Sequence, residues 1–276
     1  MTTIHRGWRR LQAAGTGFLV AGDRGGTAPT LVCLHGIGGD ATSFRAQMDG
    51  MAGPRQQVLS WDMPGYGESA PLAGMDFASL CARLCAALDE LGLSRVAIAG
   101  QSIGGMIAQE MAIRHPERVA GLVLIATVPA FGGRDDSFRD SFLAARLAPL
   151  DRGIGMDQLA AEAIPAVLGP GADTAMRQDA IAVMAAIPEA AYRQVLATLV
   201  TFNRREDQQL ITCPCLLIAG GRDDNSPARV METMAARLSD AALVVIENAG
   251  HLVNSEAGRE CNRAITAFLQ DLDQDF

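Results

Sequence analysis

The run Val96-Ala97-Ile98-Ala99-Gly100-Gln101-Ser102-Ile103-Gly104-Gly105 decides the fold. Its apolar first half reads as a buried strand, and the residues from Met106 to His115 read as a helix. Between them stands G-x-S-x-G. A strand can reverse into a helix this abruptly only where side chains do not crowd the turn, and Gly100 and Gly104 stand at those points. One hydroxyl, that of Ser102, is left at the tip. Glycine accounts for 29 of the 276 residues, so the pentapeptide alone is weak, and a surface turn serine is the bland alternative. The strand before it and the helix after it give the motif its weight.

A serine hydroxyl is a poor nucleophile at neutral pH; it needs a histidine to accept its proton and an acid to orient that histidine. Four histidines exist: His5, His35, His115 and His251. His251 follows the apolar run Ala242-Leu243-Val244-Val245-Ile246, which puts it on a loop at a strand's C-terminal end, a catalytic address in a parallel sheet. His115 precedes Pro116 at a helix terminus, and His5 lies near the start of the sequence. For the acid, Cys215-Leu216-Leu217-Ile218-Ala219 runs into Gly220-Gly221-Arg222-Asp223-Asp224-Asn225-Ser226-Pro227, making Asp223 and Asp224 the candidates.

The order serine, aspartate, histidine, together with the turn around Ser102, resembles the α/β-hydrolase family over nearly the whole chain. The resemblance implies an α/β fold with a mostly parallel eight-stranded sheet, helices on both faces and an inserted helical cap. The family's acid loop, G-x-x-D-x-x-x-P, matches Gly220, Asp223 and Pro227, which favours Asp223 and leaves Asp224 as a solvated loop residue. Leu31-Val32-Cys33-Leu34-His35-Gly36-Ile37-Gly38-Gly39 is similar to the family's oxyanion loop, so the backbone N–H groups of Ile37 and Ile103 are the implied donors, with His35 fixing the loop. Asp62-Met63-Pro64-Gly65-Tyr66-Gly67-Glu68-Ser69 matches a family turn whose proline and glycines serve geometry. Within the family, His251-Leu252-Val253-Asn254-Ser255-Glu256 looks like the H-x-x-N-x-E segment of 3-oxoadipate enol-lactonases. Hydrolases of carbon-carbon bonds usually carry Asn where this chain has Gln101 and a Trp soon after the histidine, where it has Val253, Asn254 and Ser255. Epoxide hydrolases and haloalkane dehalogenases need an aspartate at the elbow, which Ser102 argues against.

Around these motifs the pattern runs from a short β-rich start at residues 7 to 22 through strand-helix alternation to about Val128. It then turns wholly helical, with expected helices at Ser137 to Ala148, Met156 to Leu168, Asp173 to Ile187 and Pro188 to Phe202. Alternation resumes at Ile211 and ends in a helix from Ser255 to about Leu272. The expected division is therefore a core over residues 1–129, a helical cap over 130–209, and the rest of the core over 210–276. Phe131, Phe138, Phe142, Tyr192 and Phe202 are candidates for an apolar pocket, and Arg134, Arg139 and Arg193 for holding a substrate carboxylate. Packing between cap and core, and a solvated helix face, are the bland readings of the two groups. Phe131, Tyr192 and Arg134 are the substrate contacts expected first.

All 23 basic residues are arginine, which excludes Schiff-base chemistry on an enzyme lysine and an internal pyridoxal phosphate aldimine. A net charge of −8 without a basic run disfavours nucleic acid as partner. No apolar run approaches the ~18 residues of a membrane span, and Met1 to Arg10 has no hydrophobic signal core, so a cytoplasmic protein is expected. The cysteines, including Cys213-Pro214-Cys215, do not have the spacing of a redox or zinc motif and read mostly as small core residues. The expected activity needs no metal or cofactor. It is hydrolysis of an ester or enol-lactone of a small catabolic intermediate, acidic ones included, through an acyl-enzyme on Ser102. The alternatives are a carbon-carbon bond hydrolase of ring-cleavage products, a small-molecule receptor on the same scaffold, and lyase or cofactor-free oxygenase chemistry on a His-Asp pair.

Overall fold

The structure, a computed structural model, describes residues 7–132 and 136–273. Its centre is an eight-stranded sheet: β1 (Trp8–Ala13), β2 (Thr16–Ala21), β3 (Leu31–Leu34), β4 (Val58–Trp61), β5 (Val96–Gln101), β6 (Val119–Ile125), β7 (Cys215–Gly220) and β8 (Ala241–Ile246). The spatial order is β1-β2-β4-β3-β5-β6-β7-β8. β2 pairs antiparallel with β1 and β4, and all other neighbours are parallel, so the fold is α/β, as expected. The order of connection reverses at β3, whose neighbours are β4 on one side and β5 on the other. The C-terminal ends of β3 and β5 therefore open the crevice where open parallel sheets bind ligands.

The strands from β3 to β7 are buried end to end, and alternate side chains feed two cores. Leu31, Cys33, Ala97 and Ala99 face α1 (Arg45–Met51) and the last helix, whose Cys261, Ile265 and Leu269 are buried there. Val32, Leu34 and Ile98 face α2 (Phe77–Glu90) and α3 (Ile103–Arg114). Asp76 starts α2 with a reciprocal cap, its carboxylate accepting from the Ser79 N–H at 2.7 Å while Ser79 Oγ accepts from the Asp76 N–H at 2.9 Å.

Between β6 and β7 the chain forms α4 (Asp136–Asp151), α5 (Met156–Val167), α6 (Thr174–Ala185) and α7 (Glu189–Leu199). The two ends of this insertion are stitched together, since Phe131 N–H donates to the Phe202 carbonyl and Arg204 N–H to the Pro129 carbonyl, each at 2.8 Å. α7 stops three residues before the expected Phe202, whose ring packs on Phe77 with centroids 4.8 Å apart. After β7 come α8 (Ala228–Ala235), a short α9 (Val253–Glu256) and α10 (Gly258–Asp273). The expected final helix from Ser255 is thus two helices, broken at Ala257, whose backbone is extended in φ (−127°). α3 begins at Ile103, earlier than the Met106 expected from sequence, because the elbow glycines are its first turn. Among the described residues no helix is long and apolar enough to cross a membrane. The six cysteines are free thiols.

One buried ion cluster ties the insertion's C-terminal stalk to the core. Glu110 on α3, 1% exposed, accepts from Arg204 Nε at 2.6 Å and Arg204 Nη2 at 2.7 Å, and also pairs with Arg114. Burial alone would raise this carboxyl's pKa, but the hydrogen bonds and charges of the two arginines bring it below the ordinary value. Glu110→Ala leaves Arg204 without its bidentate partner and should cost roughly 3 kcal/mol of unfolding free energy in urea at pH 7. Because the folded pKa is depressed, the wild-type advantage should be present above about pH 4.5 and shrink as pH falls further. A variant as stable as wild type at pH 7 contradicts this account.

Candidate active site

The turn after β5 holds Ser102 at φ 55°, ψ −120°, a strained conformation for a residue with a side chain, of a kind that costs on the order of 1–3 kcal/mol. The strain is imposed by close packing. A Cβ at Gly100 would overlap the Gly104 carbonyl, and one at Gly104 would overlap the Leu34 carbonyl, so only glycine lets α3 sit this near β3 and β5. The Ser102 N–H is spent on the Ile125 carbonyl at 2.9 Å, which pins the turn. Thr127 Oγ1 reinforces it by donating to the Ser102 carbonyl at 2.8 Å.

At the end of β7, Asp223 is 4% exposed and both of its oxygens are used. Oδ1 accepts from the N–H groups of Asn225 (2.8 Å) and Ser226 (3.1 Å), while Oδ2 lies 2.8 Å from His251 Nδ1. A carboxylate can only accept here, so Nδ1 carries the proton and Nε2 is left as the basic nitrogen. The exposed Asp224 makes no such contact. His251 is itself held from three sides. Its N–H donates to the Val167 carbonyl at 2.8 Å, and its carbonyl accepts from Gln101 Nε2 at 2.9 Å. Glu256 accepts from the N–H groups of Gly250 (3.0 Å), Leu252 (3.1 Å) and Gly169 (2.7 Å), binding the histidine loop to the loop after α5. Of the other histidines, His115 lies at the C-terminal end of α3 near Glu117, and His5 is outside the described residues.

The loop after β3 supplies the facing wall. Ile103 is the first residue of α3, so its N–H has no helical acceptor, and among the described residues the Ile37 N–H has no acceptor either. His35 is fully buried and uses both ring nitrogens: Nδ1 donates to the Gly36 carbonyl at 2.8 Å, and Nε2 accepts from the Met63 N–H at 2.9 Å. Tyr66, from the turn after β4, donates its hydroxyl to the Ile37 carbonyl at 3.0 Å. The loop is thus fixed from behind by a ring and a phenol, with both N–H groups left over.

Ser102, His251 and Ile37 line one cavity of about 1620 Å³ under the insertion. Its apolar walls include Met106, Ile164, Met184 and Leu196. Phe131 and Tyr192 lie in the wall, as do Phe138 and Phe142, and Phe131 and Phe142 meet edge to face at 4.6 Å. Phe202 does not: it is buried against Phe77. Arg193 points elsewhere, paired with Asp151 at 2.8 Å and Glu189 at 2.7 Å, and Arg139 is not in the wall. Arg134 lies outside the described residues. Sequence reading missed Arg146, which is in the wall, and the part played by Glu256. Arg146 continues the four-residue spacing of Phe138 and Phe142 along α4, a stripe visible in the sequence.

A sheet of this order with a strained serine between strand and helix defines the hydrolases built on this scaffold. The chain belongs to the alpha/beta hydrolase fold family, whose pattern matches residues 29–257. It is 30% identical over 255 residues to the dihydrolipoyllysine-residue acetyltransferase component of the acetoin cleaving system of Pseudomonas putida, covering 90% of this chain but only 65% of that protein's length. It is also 30% identical over 250 residues to the pimeloyl-[acyl-carrier protein] methyl ester esterase of Chromobacterium violaceum, covering 89% of this chain and 96% of that protein. The crystal structure of the enol-lactonase from Burkholderia xenovorans LB400 superposes with a TM-score of 0.84 over 95% of this chain and all of that one, at 21% identity, a likeness of fold.

Burial holds the His35 pKa below that of a free imidazole, against the opposing pull of the Gly36 carbonyl, Asp62 and Asp40. The unfolded chain then binds a proton that the folded chain refuses, so stability should fall as pH drops below about 6.5, by at most ~1.4 kcal/mol per pH unit. Comparing urea unfolding at pH 6.5 and 5.5, His35→Gln should show a shallower loss than wild type. Equal slopes for the two proteins would contradict a buried neutral His35.

Proposed function

We propose that this protein is a serine hydrolase of carboxylic esters or enol-lactones that works through an acyl-enzyme on Ser102. The observation that carries the reading is the 2.8 Å contact between Asp223 and His251 Nδ1, in a cavity that also holds Ser102 on its strained turn. In this reading His251 Nε2 takes the Ser102 proton as Oγ bonds to the substrate carbonyl carbon. Asp223 keeps the imidazole in the required tautomer and stabilises its positive charge. The carbonyl oxygen becomes an oxyanion between the N–H groups of Ile37 and Ile103, which are fixed before substrate arrives and so lose no energy to reorientation. His251 then passes the proton to the leaving alcohol or enol oxygen, and the ester bond breaks. Water, deprotonated by the same nitrogen, attacks the acyl carbon, and the proton returns to Ser102 as the acid leaves.

The four inserted helices act in this reading as a cap that excludes water and shapes the acyl site. Support comes from the walls they supply, Phe142 from α4, Ile164 from α5, Met184 from α6 and Tyr192 from α7. The methyl ester esterase of C. violaceum, of similar length, is named for the same bond type.

Hydrolysis of p-nitrophenyl acetate and butyrate at pH 7.5, beside a panel of lactones, tests the proposal. Ser102→Ala should lower kcat by at least ~10³-fold while its circular dichroism stays that of wild type. Near-full turnover by the variant would reject Ser102 as nucleophile. The ratio of lactone to ester turnover in the wild type separates the two substrate classes.

A further inference from the structure

The cavity contains a cation without an anion. Arg146 projects from the stripe of α4 that also bears Phe138 and Phe142, and its guanidinium carbon lies 3.6 Å from the Phe142 ring centroid. Among the described residues it makes no ion pair and no hydrogen bond. Other charged groups of the wall are differently placed: Arg45 is paired with Asp179 at 3.1 Å, Asp40 and Asp173 cap helices, and Asp49, Asp224, Arg229 and Arg237 are exposed to water. Arg205, half-buried, is in the wall as well, where its carbonyl accepts from Arg237. Burial depresses the Arg146 pKa, and no carboxylate among the described residues is near enough to oppose the shift. Tyr192 is 3% exposed, lines the same cavity, and its hydroxyl has no hydrogen bond to a described residue.

Stacking on an aromatic face fixes the plane of a guanidinium and leaves its N–H edge directed outward. A partly desolvated cation with free donors carries a cost that an incoming anion offsets, and a carboxylate fits that edge with two parallel hydrogen bonds. The Tyr192 phenol, in the wall of the same cavity, adds a third donor. We propose that Arg146 and Tyr192 form a carboxylate-binding subsite, so that the preferred substrate is an ester or lactone carrying a separate free carboxylate. This rests on the hydrolase reading above and specifies its substrate class. It takes the part that the sequence suggested for Arg193, which is committed to surface ion pairs.

The test compares kcat/KM for monomethyl glutarate and monomethyl adipate with that for methyl esters of matching length that lack the second carboxylate. Wild type should favour the acidic esters by ~10- to 100-fold, mainly through KM. Within Arg146→Met the ratio should fall close to one, Arg146→Lys should keep part of it, and Tyr192→Phe should lower it by less than Arg146→Met does. A wild type that prefers the neutral esters, or a ratio that survives Arg146→Met, overturns the proposal. Turnover of neutral esters that vanishes in Ser102→Ala shows the hydrolase reading intact whichever way the ratio falls. If no ester is turned over, the subsite is still decided by adipate binding: millimolar adipate should raise the Tm of Ser102→Ala and not that of the Ser102→Ala, Arg146→Met double variant. An equal rise in both, or none in either, counts against it.

Discussion

The structure depends on one close approach of backbones. Gly100 and Gly104 bring α3 against the ends of β3 and β5 so tightly that a single added methyl would overlap a carbonyl, and the residue between them has no relaxed conformation available. Ser102 therefore takes a positive φ. The strain is small beside the burial of β3, β5 and β6, each of which is buried along its full length, and so it is held. Its consequence is positional: the side chain stands clear of the sheet, and the N–H of Ile103 is released because a helix's first residue has no acceptor within the helix.

Other groups at the crevice act mainly by holding neighbours still. His35 and Tyr66 touch the loop that carries the Ile37 N–H, one through a carbonyl and a neighbouring turn, the other through the Ile37 carbonyl itself. Glu256 holds the histidine loop with one carboxylate accepting three backbone N–H bonds, one of them from Gly169 in the insertion. Position of the histidine loop and position of the insertion are therefore mechanically linked. The Val167 carbonyl, at the C-terminal end of α5, accepts directly from the His251 N–H.

Much of this is legible in the residues because glycine and strand patterns have few solutions. The run from Val96 to Gly105 admits hardly any other geometry, and aspartate and histidine after buried strands fall at one sheet edge by topology alone. The resemblance of the acid loop to G-x-x-D-x-x-x-P already favours Asp223 over its neighbour Asp224, and the geometry supplies the physical reason, since Asp223 turns inward to the Asn225 and Ser226 N–H groups. Helix ends in the insertion were harder to read. Phe202 has helical spacing with the residues before it, yet its burial against Phe77 is a long-range contact that local pattern does not encode. The break at Ala257 is of the same kind, because Gly258 packs where a Cβ would strike Ala46. Arg146 is easily passed over by its type, since an arginine on a helix ordinarily faces water, and its place in the cavity wall against Phe142, without a carboxylate partner among the described residues, distinguishes it from Arg193.

The central claim is that Ser102 is an activated nucleophile driven by His251 and Asp223. Intact-mass analysis of labelling by a fluorophosphonate, with peptide mapping of the adduct, addresses it directly, because the reagent forms a stable bond to a serine only where a base has raised its reactivity. The account predicts one adduct, on Ser102, with a labelling rate lowered at least ~10²-fold by His251→Ala and measurably by Asp223→Asn. An adduct on another residue, or a rate indifferent to His251, would contradict it.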